Sequence, residues 1–334
     1  MYAAAKYYFR MCLFFVLLAM PYVYFVRGFT LSFLPGFLFS LSVMVHSFFD
    51  GPFASIFVGI FALIILFRRT LILPMVYVVI GTILFSPAFV MIKTTIPTVV
   101  PFWADPVLAQ VDLWLLGRHA YELTQFAEGL LDPEKIVRFY MQLWGLFAML
   151  FPILVVLGDM NPMRQRLFLT LYVGTWIVLG CVLATLFSSA GPIYFENVTG
   201  EDLFSGLFQA LDTRGLSDTP ISQTQAGLWH LYERDGGQQL HGAGISAFPS
   251  LHVAMAAIWC VYLMVRSWLL GIVGLAYMVL VLFLSVYTGW HYFVDGLASI
   301  CLVVMLYAAF RRYFRDKLGV SQRNMPSEID QTLA

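Results

Sequence analysis

The chain has 334 residues, of which 60% are hydrophobic and 17% aromatic, and its mean hydropathy is +0.82. Charged residues make up only 11%, whereas an ordinary soluble domain has about 25%. This composition excludes a soluble globular fold, and the net charge of zero offers no basic surface for nucleic acid. We therefore predict a multi-pass integral membrane protein.

Nine apolar runs, long enough or nearly long enough to cross a bilayer, follow one another along the chain. Lys6 and Arg10 precede or begin the first run, but no small-residue cleavage site follows it, so we interpret it as a retained span rather than a signal peptide. The second and third runs predict a hairpin, although the short second arm also fits a re-entrant segment. The predicted spans are residues 8–26, 30–48, 53–67, 71–92, 135–157, 164–187, 250–265, 268–286 and 292–310.

Two polar stretches interrupt the spans. Residues 106–116 have apolar side chains at helical spacing but are too few to cross, so they predict a helix lying flat on the membrane, with Trp114 at headgroup depth. Residues 195–245 form the longest polar segment and end in several glycines. A connection of that length is usually functional or disordered, and here we predict a lid.

The four cysteines are separated in sequence, and all fall within apolar runs. This pattern predicts small buried side chains rather than a disulfide framework or a metal-binding motif. The residues concerned are Cys12, Cys181, Cys260 and Cys301.

Two short segments carry the chemical information. Residues 244–252 read Gly-Ile-Ser-Ala-Phe-Pro-Ser-Leu-His and end at His252, while residues 287–295 read Tyr-Thr-Gly-Trp-His-Tyr-Phe-Val-Asp and include His291 and Asp295. The two apolar runs between them predict a helical hairpin. Its two ends would bring both histidines to the same side of the membrane.

The residue types in these segments suit phosphoryl transfer. His291 and Asp295 are four apart, which places them on one face of a helix. A carboxylate on one ring nitrogen fixes the tautomer and prepares the other nitrogen as a nucleophile or base. Pro249 and Ser250 favour a helix start, whose free N–H groups attract phosphate. With His252 to protonate the leaving group, the set predicts a phosphoryl-transfer site.

At these residues the chain resembles the type-2 phosphatidic acid phosphatase superfamily, whose second motif is Pro-Ser-Gly-His and whose third ends in His-x-x-x-Asp. The form Phe-Pro-Ser-Leu-His, with Leu251 in place of glycine, followed by His-Tyr-Phe-Val-Asp, resembles most the inositol phosphorylceramide synthase branch and its bacterial relatives. Residues 189–192, Ser-Ala-Gly-Pro, also resemble a segment of that branch. The resemblance extends loosely over about 70–313 and does not reach residues 1–67.

Two cations of the standard phosphate clamp have no counterpart in these motifs. The superfamily's first motif, Lys-x-x-x-x-x-x-Arg-Pro, is missing because no Arg-Pro occurs in the chain, and Ser285 stands where the third motif usually has arginine. Arg138 and Lys135, at the outer end of the fifth span, are candidate replacements, although lipid headgroup contacts explain them equally well. Further candidates for substrate binding are Ser250, Tyr194 and Thr288.

The resemblance implies an all-α membrane bundle with a six-helix catalytic core. We divide the chain into N-terminal spans (1–67), the catalytic membrane domain (68–313) and a cytoplasmic tail (314–334). By the superfamily's mechanism, His291 attacks phosphorus to form a phosphohistidine, Asp295 orients and stabilises it, and His252 protonates the leaving oxygen. No metal or other cofactor is expected, and the expected partners are a phospholipid or lipid phosphate and the bilayer itself. The sequence identifies no protein partner.

Several alternatives remain at this point. Attack by a lipid or polyol hydroxyl would make the protein a head-group transferase, and attack by water would make it a lipid phosphate phosphatase. The missing clamp motifs, and the resemblance of the motif sequences to the inositol phosphorylceramide synthase branch, favour the transferase. A third alternative is a non-enzymatic scaffold or transporter, which the position of ionisable residues near span ends disfavours. The missing His-Glu-x-x-His signature disfavours zinc, and the missing Gly-x-Ser-x-Gly elbow disfavours a serine hydrolase.

The positive-inside rule sets the predicted orientation. The basic segment after Arg311 is taken as cytoplasmic. Alternating back through nine spans places Arg27 and Arg68 on that side and the catalytic residues on the extracytoplasmic face. Lys6 and Arg10 then fall outside, against the rule.

Overall fold

The computed structural model describes residues 1–49, 66–235 and 244–323, together with residues 55, 58, 59, 62 and 63. This part of the chain is helical and contains no β-strand, as predicted. Its main helices are α1 (Tyr2–Val26), α2 (Phe33–Phe49), α3 (Ile72–Lys93), α4 (Asp105–Leu116), α5 (Pro133–Gly158), α6 (Pro162–Leu186), α7 (Ser205–Thr213), α8 (Pro220–Arg234), α9 (Leu251–Arg266), α10 (Trp268–Tyr287) and α11 (Phe293–Arg323).

Within the described residues, six helices are long and apolar enough to cross a membrane: α1, α3, α5, α6, α10 and α11. α9 and the first part of α2 are apolar but shorter. The protein is therefore an integral membrane protein. The count of nine spans is not confirmed, and the predicted span 53–67 lies largely outside the described residues.

α1 runs parallel to α3. Near the start of both helices, the rings of Tyr2 and Tyr77 lie 5.8 Å apart. At their far ends, the guanidinium of Arg27 donates a 3.0 Å hydrogen bond to the hydroxyl of Thr94. Parallel spans require an odd number of crossings between them, whereas the predicted hairpin at 30–67 supplies two.

The placement of the N-terminal charges is corrected accordingly. Arg27 lies at the same end of the bundle as Lys93 and not beside Arg68, which precedes α3 at the opposite end. Lys6, whose ammonium lies 5.9 Å from the Tyr77 ring, is also at that opposite end.

A regular apolar stripe packs one face of α1 against the bundle core. Its buried positions Ala5, Tyr8, Cys12 and Phe15 alternate at spacings of three and four, which keeps one face of a helix against its neighbours. They pack in one cluster with residues of α3, α5, α6 and α9. Although α1 precedes the region of resemblance, it thus packs against helices of that region.

Three of the four cysteines are buried, as the sequence predicts, and none of the four forms a disulfide. Cys301 differs, since it is exposed on the surface of α11. An apolar run in a membrane helix includes lipid-facing positions as well as core positions, so hydropathy alone did not separate the two.

The structure confirms the predicted hairpin of α9 and α10. Glycine allows the two helices to approach closely, because a Cβ on Gly274 would lie only 2.7 Å from the Cα of Cys260. α9 begins one residue before His252, and α10 ends four residues before His291. The hairpin therefore brings both histidine segments to one end of the bundle.

Two π-helical turns occur near this end, in α5 at Arg138–Leu143 and in α6 at Val178–Leu183. A π turn inserts an extra residue and re-aims the side chains around it, often at functional sites. Tyr140 and Gly180, which belong to these turns, both approach the histidine segments.

Candidate active site

The structure brings the three predicted catalytic residues together. The ring centroids of His252 and His291 lie 6.0 Å apart, and Nδ1 of His291 is 3.2 Å from a carboxylate oxygen of Asp295. His291 and Asp295 do not share a helix as predicted, because α11 begins only at Phe293. Instead, the same Asp295 oxygen accepts the backbone N–H of Tyr292 at 3.1 Å and so ties the pre-helical turn to the helix.

Aromatic residues of α5 fix the ring of His252. It stacks on Trp144 with a centroid distance of 3.9 Å and on Tyr140 with 4.6 Å. The indole N–H of Trp144 also donates to the backbone carbonyl of His252 at 2.9 Å. The ring orientation is therefore set by packing. Sequence reasoning missed this pair, which lies in the π turn of α5 and immediately after it.

His291 is buried, and the site keeps its ring neutral. Burial lowers the pKa of His291 to about 3, and the nearby Lys93 ammonium acts in the same direction, while a hydrogen bond with the backbone of Ala247 opposes them. A neutral imidazole held at one nitrogen by a carboxylate retains a lone pair for nucleophilic attack.

A cavity of about 180 Å³ lies beside the two histidines. Its wall combines the end of α3, the π turn of α6, part of α8 and the two motif segments. Residues lining it include Lys93, Gly180, Tyr194, Thr224, Leu228, Ser246, His252, Trp290 and His291.

Lys93 brings a positive charge to the cavity, where the two motif segments lack the usual phosphate-binding cations. It is the last residue of α3, it lines the cavity, and its charge acts on both histidines. No salt bridge to Lys93 occurs among the residues that the structure describes. An anion in the cavity would therefore meet a cation that no carboxylate neutralises. Sequence reasoning sought an Arg-Pro motif and ended the fourth span one residue before Lys93.

Asp105, at the start of α4, connects two segments of the site. Its buried carboxylate accepts the hydroxyl of Ser189 at 2.8 Å and the backbone N–H groups of Ala190 and Gly191 at 2.9 and 2.8 Å. It also accepts the hydroxyl of Tyr292 at 3.0 Å. The Ser-Ala-Gly-Pro segment and the third motif are thus held by one side chain.

Asp112 holds the start of α11. Its two carboxylate oxygens accept the backbone N–H groups of Phe293 and Val294 at 2.7 and 2.8 Å. Burial raises the pKa of Asp112 to about 6, although these two N–H groups pull it down. Asp105 and Asp112 are seven residues apart and so share one face of α4. That spacing was a readable signal that sequence reasoning did not use.

The predicted helix at 106–116 is present as α4, and the side chain of Trp114 is exposed. Its predicted depth at the headgroups is a matter of membrane position and stays a prediction.

The other predicted substrate-binding residues have different positions. Tyr194 lines the cavity, and its hydroxyl donates to the backbone carbonyl of Gln225 at 2.9 Å. Ser250 caps α9, since its hydroxyl oxygen accepts the N–H of Val253, and its side chain is buried and does not line the cavity.

Thr288 and Arg138 are not brought to the cavity. The hydroxyl of Thr288 donates to the carbonyl of Leu284 within the last turn of α10 at 2.7 Å. The guanidinium of Arg138 is exposed and lies 3.4 Å from Glu134, one turn earlier on α5. Because Arg138 lies at the surface and does not line the cavity, it does not replace the missing phosphate-binding cations.

The long polar segment is ordered into helices over residues 195–235. Arg214 fastens it, because its buried guanidinium donates to the carbonyls of Tyr287 at 2.7 Å and Tyr121 at 2.9 Å. Gln225 of α8 donates to the carbonyl of Thr288 at 2.9 Å. The cavity face of α8 thus covers the histidines, whereas the glycine-rich residues 236–243 lie outside the described residues.

A family model described as the PAP2 superfamily matches residues 108–309. The match covers more than half of the chain and includes both histidine segments. The chain belongs to the PAP2 superfamily. Members of the PAP2 superfamily are generally phosphatases or phosphotransferases, and the membrane helices of this chain fit that activity. The match does not distinguish branches of the superfamily. No curated protein and no solved structure matches the chain.

The matched range begins inside α4, so α1, α2, α3 and the lysine of the cavity lie before it. This PAP2 protein therefore completes its cavity with a helix that the family match does not include.

Proposed function

We propose that this PAP2 protein is a lipid phosphotransferase, which moves a phosphoryl group or an inositol-phosphate-like headgroup between lipids through a phosphohistidine at His291. One observation carries the proposal. A neutral His291, held by Asp295, shares a single cavity with His252 and with the Lys93 ammonium, which forms no salt bridge within the described part of the chain.

The first half of the reaction forms the covalent intermediate. The ring nitrogen of His291 that does not contact Asp295 attacks phosphorus, and the bond from phosphorus to the leaving lipid oxygen breaks. His252, which takes up a proton together with the anionic phosphate group of the substrate, gives that proton to the leaving oxygen. Lys93 stabilises the negative charge on the phosphoryl oxygens. Asp295 stabilises the positive charge that develops on His291.

The second half transfers the group to an acceptor. A hydroxyl attacks phosphorus, His252 accepts the hydroxyl proton, and the phosphorus–nitrogen bond breaks. His291 returns to its neutral form, and one proton has moved in net terms from the acceptor to the leaving group. General acid–base help of this kind contributes about 10²–10⁴-fold in rate.

Two features favour a hydroxyl acceptor over water. Thr224 and Leu228 of α8 form part of the cavity wall, and the cavity of about 180 Å³ has room for few water molecules. A second cavity of about 600 Å³ lies beyond this helix, and Tyr194 borders both. Its lining includes polar side chains suited to a polyhydroxyl group: Asn197, Ser222, Gln223 and His230. Hydrolysis, as in a lipid phosphate phosphatase, is the alternative outcome.

The active site is proposed to face the extracytoplasmic side. The opposite end of the bundle carries a basic set that the positive-inside rule assigns to the cytoplasm. Because α1 is parallel to α3, Lys6 and Arg10 now belong to that set rather than opposing it. The set comprises Lys6, Arg10, Arg68, Arg69, Arg164, Arg166, Arg266, Arg311, Arg312 and Arg315.

The test uses the purified full-length protein with phosphorus-labelled phosphatidic acid or phosphatidylinositol, with and without ceramide, diacylglycerol or inositol as acceptor. We expect label to move to a hydroxyl acceptor, and this transfer to be lost in His291→Ala. Release of inorganic phosphate alone, whatever the acceptor, would identify a phosphatase. Absence of turnover with every donor, in protein that retains its fold, would overturn the enzymatic proposal.

A further inference from the structure

An apolar groove lies between α1, α3 and α6, outside the catalytic cavity. Its volume is about 590 Å³, within the range of about 300–1,000 Å³ typical of ligand pockets. Its lining runs along α6 from Thr170 to Thr185, which corresponds to about 22 Å at the helical rise. The groove therefore runs parallel to the helices, in the direction in which lipid chains lie in a bilayer.

The lining offers little to a polar ligand. It consists mainly of hydrocarbon and aromatic side chains, such as Met11, Phe15 and Val173. The hydroxyls of its two threonines already donate to carbonyls of their own helix, at 2.8 Å for Thr170 and 2.7 Å for Thr185. Such a surface suits a hydrocarbon chain.

The groove adjoins the catalytic cavity. On α3, Ile92 lines the groove and the next residue, Lys93, lines the cavity. On α6, Cys181 lines the groove and the preceding residue, Gly180, lines the cavity. The residues between the two spaces pack tightly at Gly180, where a Cβ would lie 2.7 Å from the ring of Phe89. The groove thus lies along the hydrocarbon side of the phosphate site.

The sizes of the two spaces complement each other. The cavity of about 180 Å³ holds a headgroup phosphate but is smaller than a typical ligand pocket. The hydrocarbon chains of a bound lipid must therefore lie outside this cavity. Phe14 and Leu18, on the rim of the groove, are exposed on the bundle surface, so a chain has lateral access from the bilayer.

We propose that α1, α3 and α6 bind a hydrocarbon chain of the lipid substrate while its phosphate is held by His252, His291 and Lys93. This inference rests on the proposed function and extends it, since it makes the protein selective for long-chain lipid phosphates. It also gives α1, which lies outside the matched family range, a direct part in substrate binding.

The first test locates the chain directly. The full-length protein in bilayer nanodiscs is irradiated with phosphatidic acid that carries a photoreactive group near the end of one acyl chain. We expect the labelled peptides to come from residues 11–22 and 170–185, and excess unlabelled long-chain phosphatidic acid to suppress that label. Label spread evenly over all lipid-facing helices, or label that phosphatidic acid does not displace, would overturn the inference. The latter result would identify a structural lipid.

The second test uses two matched tryptophan substitutions on α6. Val182 lines the groove and is 49% exposed, whereas Leu186 is 57% exposed and does not line it. In Val182→Trp we expect the ratio of kcat/KM for long-chain over short-chain phosphatidic acid to fall by roughly tenfold, because filling an apolar pocket changes selectivity on that scale. Leu186→Trp should keep the wild-type ratio. An unchanged ratio in Val182→Trp would contradict the proposal.

The two tests separate failure of the groove from failure of the proposed function. If the wild-type protein turns over neither substrate, the transferase proposal fails. The displacement of photolabel by long-chain phosphatidic acid still decides the binding site in that case, and it does not depend on a variant that folds.

Discussion

Gly244 lies directly against the backbone of Lys93. Its φ of +73° is one that glycine adopts readily, and a Cβ at this position would lie 3.0 Å from both the carbonyl carbon and the carbonyl oxygen of Lys93. The segment of residues 244–252 therefore packs, at its first residue, directly against the C-terminal end of α3. This contact connects the helix that carries the cation to the segment that leads to His252.

Removing the charge of Lys93 should impair phosphate binding and turnover. We expect Lys93→Met, which keeps the apolar stem, to lower kcat/KM by about 10²–10³-fold, the scale found for lost transition-state donors. Lys93→Arg should retain part of the activity. Lys135→Met, at an exposed position on α5, serves as the control and should stay near wild type. Equal losses in Lys93→Met and Lys135→Met would contradict a specific role.

The roles of the two histidines predict different labelling. His291→Ala should abolish turnover and covalent label together. His252→Ala should slow turnover yet still form phosphohistidine from a donor with a good leaving group, because such a group needs little protonation. Mass spectrometry of acid-labile, base-stable label from a phosphorus-labelled donor provides the measurement. Label on His252 that survives His291→Ala would reverse the roles, and full turnover without label would indicate direct transfer.

Asp295 provides a third arm of the same experiment. Asp295→Asn should retain the fold and reduce the rate by roughly 10²–10⁴-fold, as for other carboxylates that orient a catalytic histidine. Unchanged substrate binding with slower formation of the label is the expected signature. Normal labelling kinetics in Asp295→Asn would contradict a role for Asp295 in forming the phosphohistidine.

The cap that Asp112 gives α11 should be measurable as stability. We expect Asp112→Ala to destabilise the protein by about 1–2 kcal/mol, because two buried N–H groups lose their acceptor. Thermal unfolding in detergent reports the change as a lower midpoint. Gln110→Ala, at an exposed position on the same helix, is the matched control. Identical midpoints for the two variants would show that the cap contributes little.

The parallel arrangement of α1 and α3 makes a topology prediction. Single cysteines introduced at Ala3 and Asn161 should be shielded from an impermeant thiol reagent in intact cells, whereas those at Thr30 and Glu201 should react. All four positions are exposed, so accessibility follows the side of the membrane. Reaction at Ala3 and Glu201 without reaction at Thr30 and Asn161 would refute the parallel arrangement. Reaction at Ala3 and Asn161 without reaction at Thr30 and Glu201 would reverse the proposed orientation.

Activity should persist without divalent metal. Lys93 lines the cavity and would supply positive charge to the phosphoryl oxygens, so the proposed steps assign no role to a metal ion. We expect full turnover in excess chelator. Loss of turnover that added zinc restores would revive a metal site built on His252, His291 and Asp295.

Local pattern was sufficient for the main features of the fold and for the histidine site. Long apolar runs identified the spanning helices, and the two motif segments at the ends of one hairpin placed His252 close to His291. These features depend on hydropathy and on short spacings, which the sequence displays directly.

Features that depend on distant contacts were not predicted. Lys93 is 159 residues before His252 in sequence, so no local spacing connects them. The stacking of Trp144 on His252 depends on how α5 meets α9. The direction of α1 was wrong because hydropathy counts apolar runs without revealing which neighbour each run packs against.

The packing of α1 against later helices also determines when α1 itself can complete its native contacts. Its buried stripe packs in a cluster with α6, which ends roughly 160 residues further along the chain. At ordinary synthesis rates, that interval is on the order of ten seconds. During this time the hydroxyl of Tyr8 can form its hydrogen bond with Thr82 on α3. The contacts of the α1 stripe with α6 can form only after α6 has been made. The first helix to be made therefore cannot complete its packing until α6 has been synthesised.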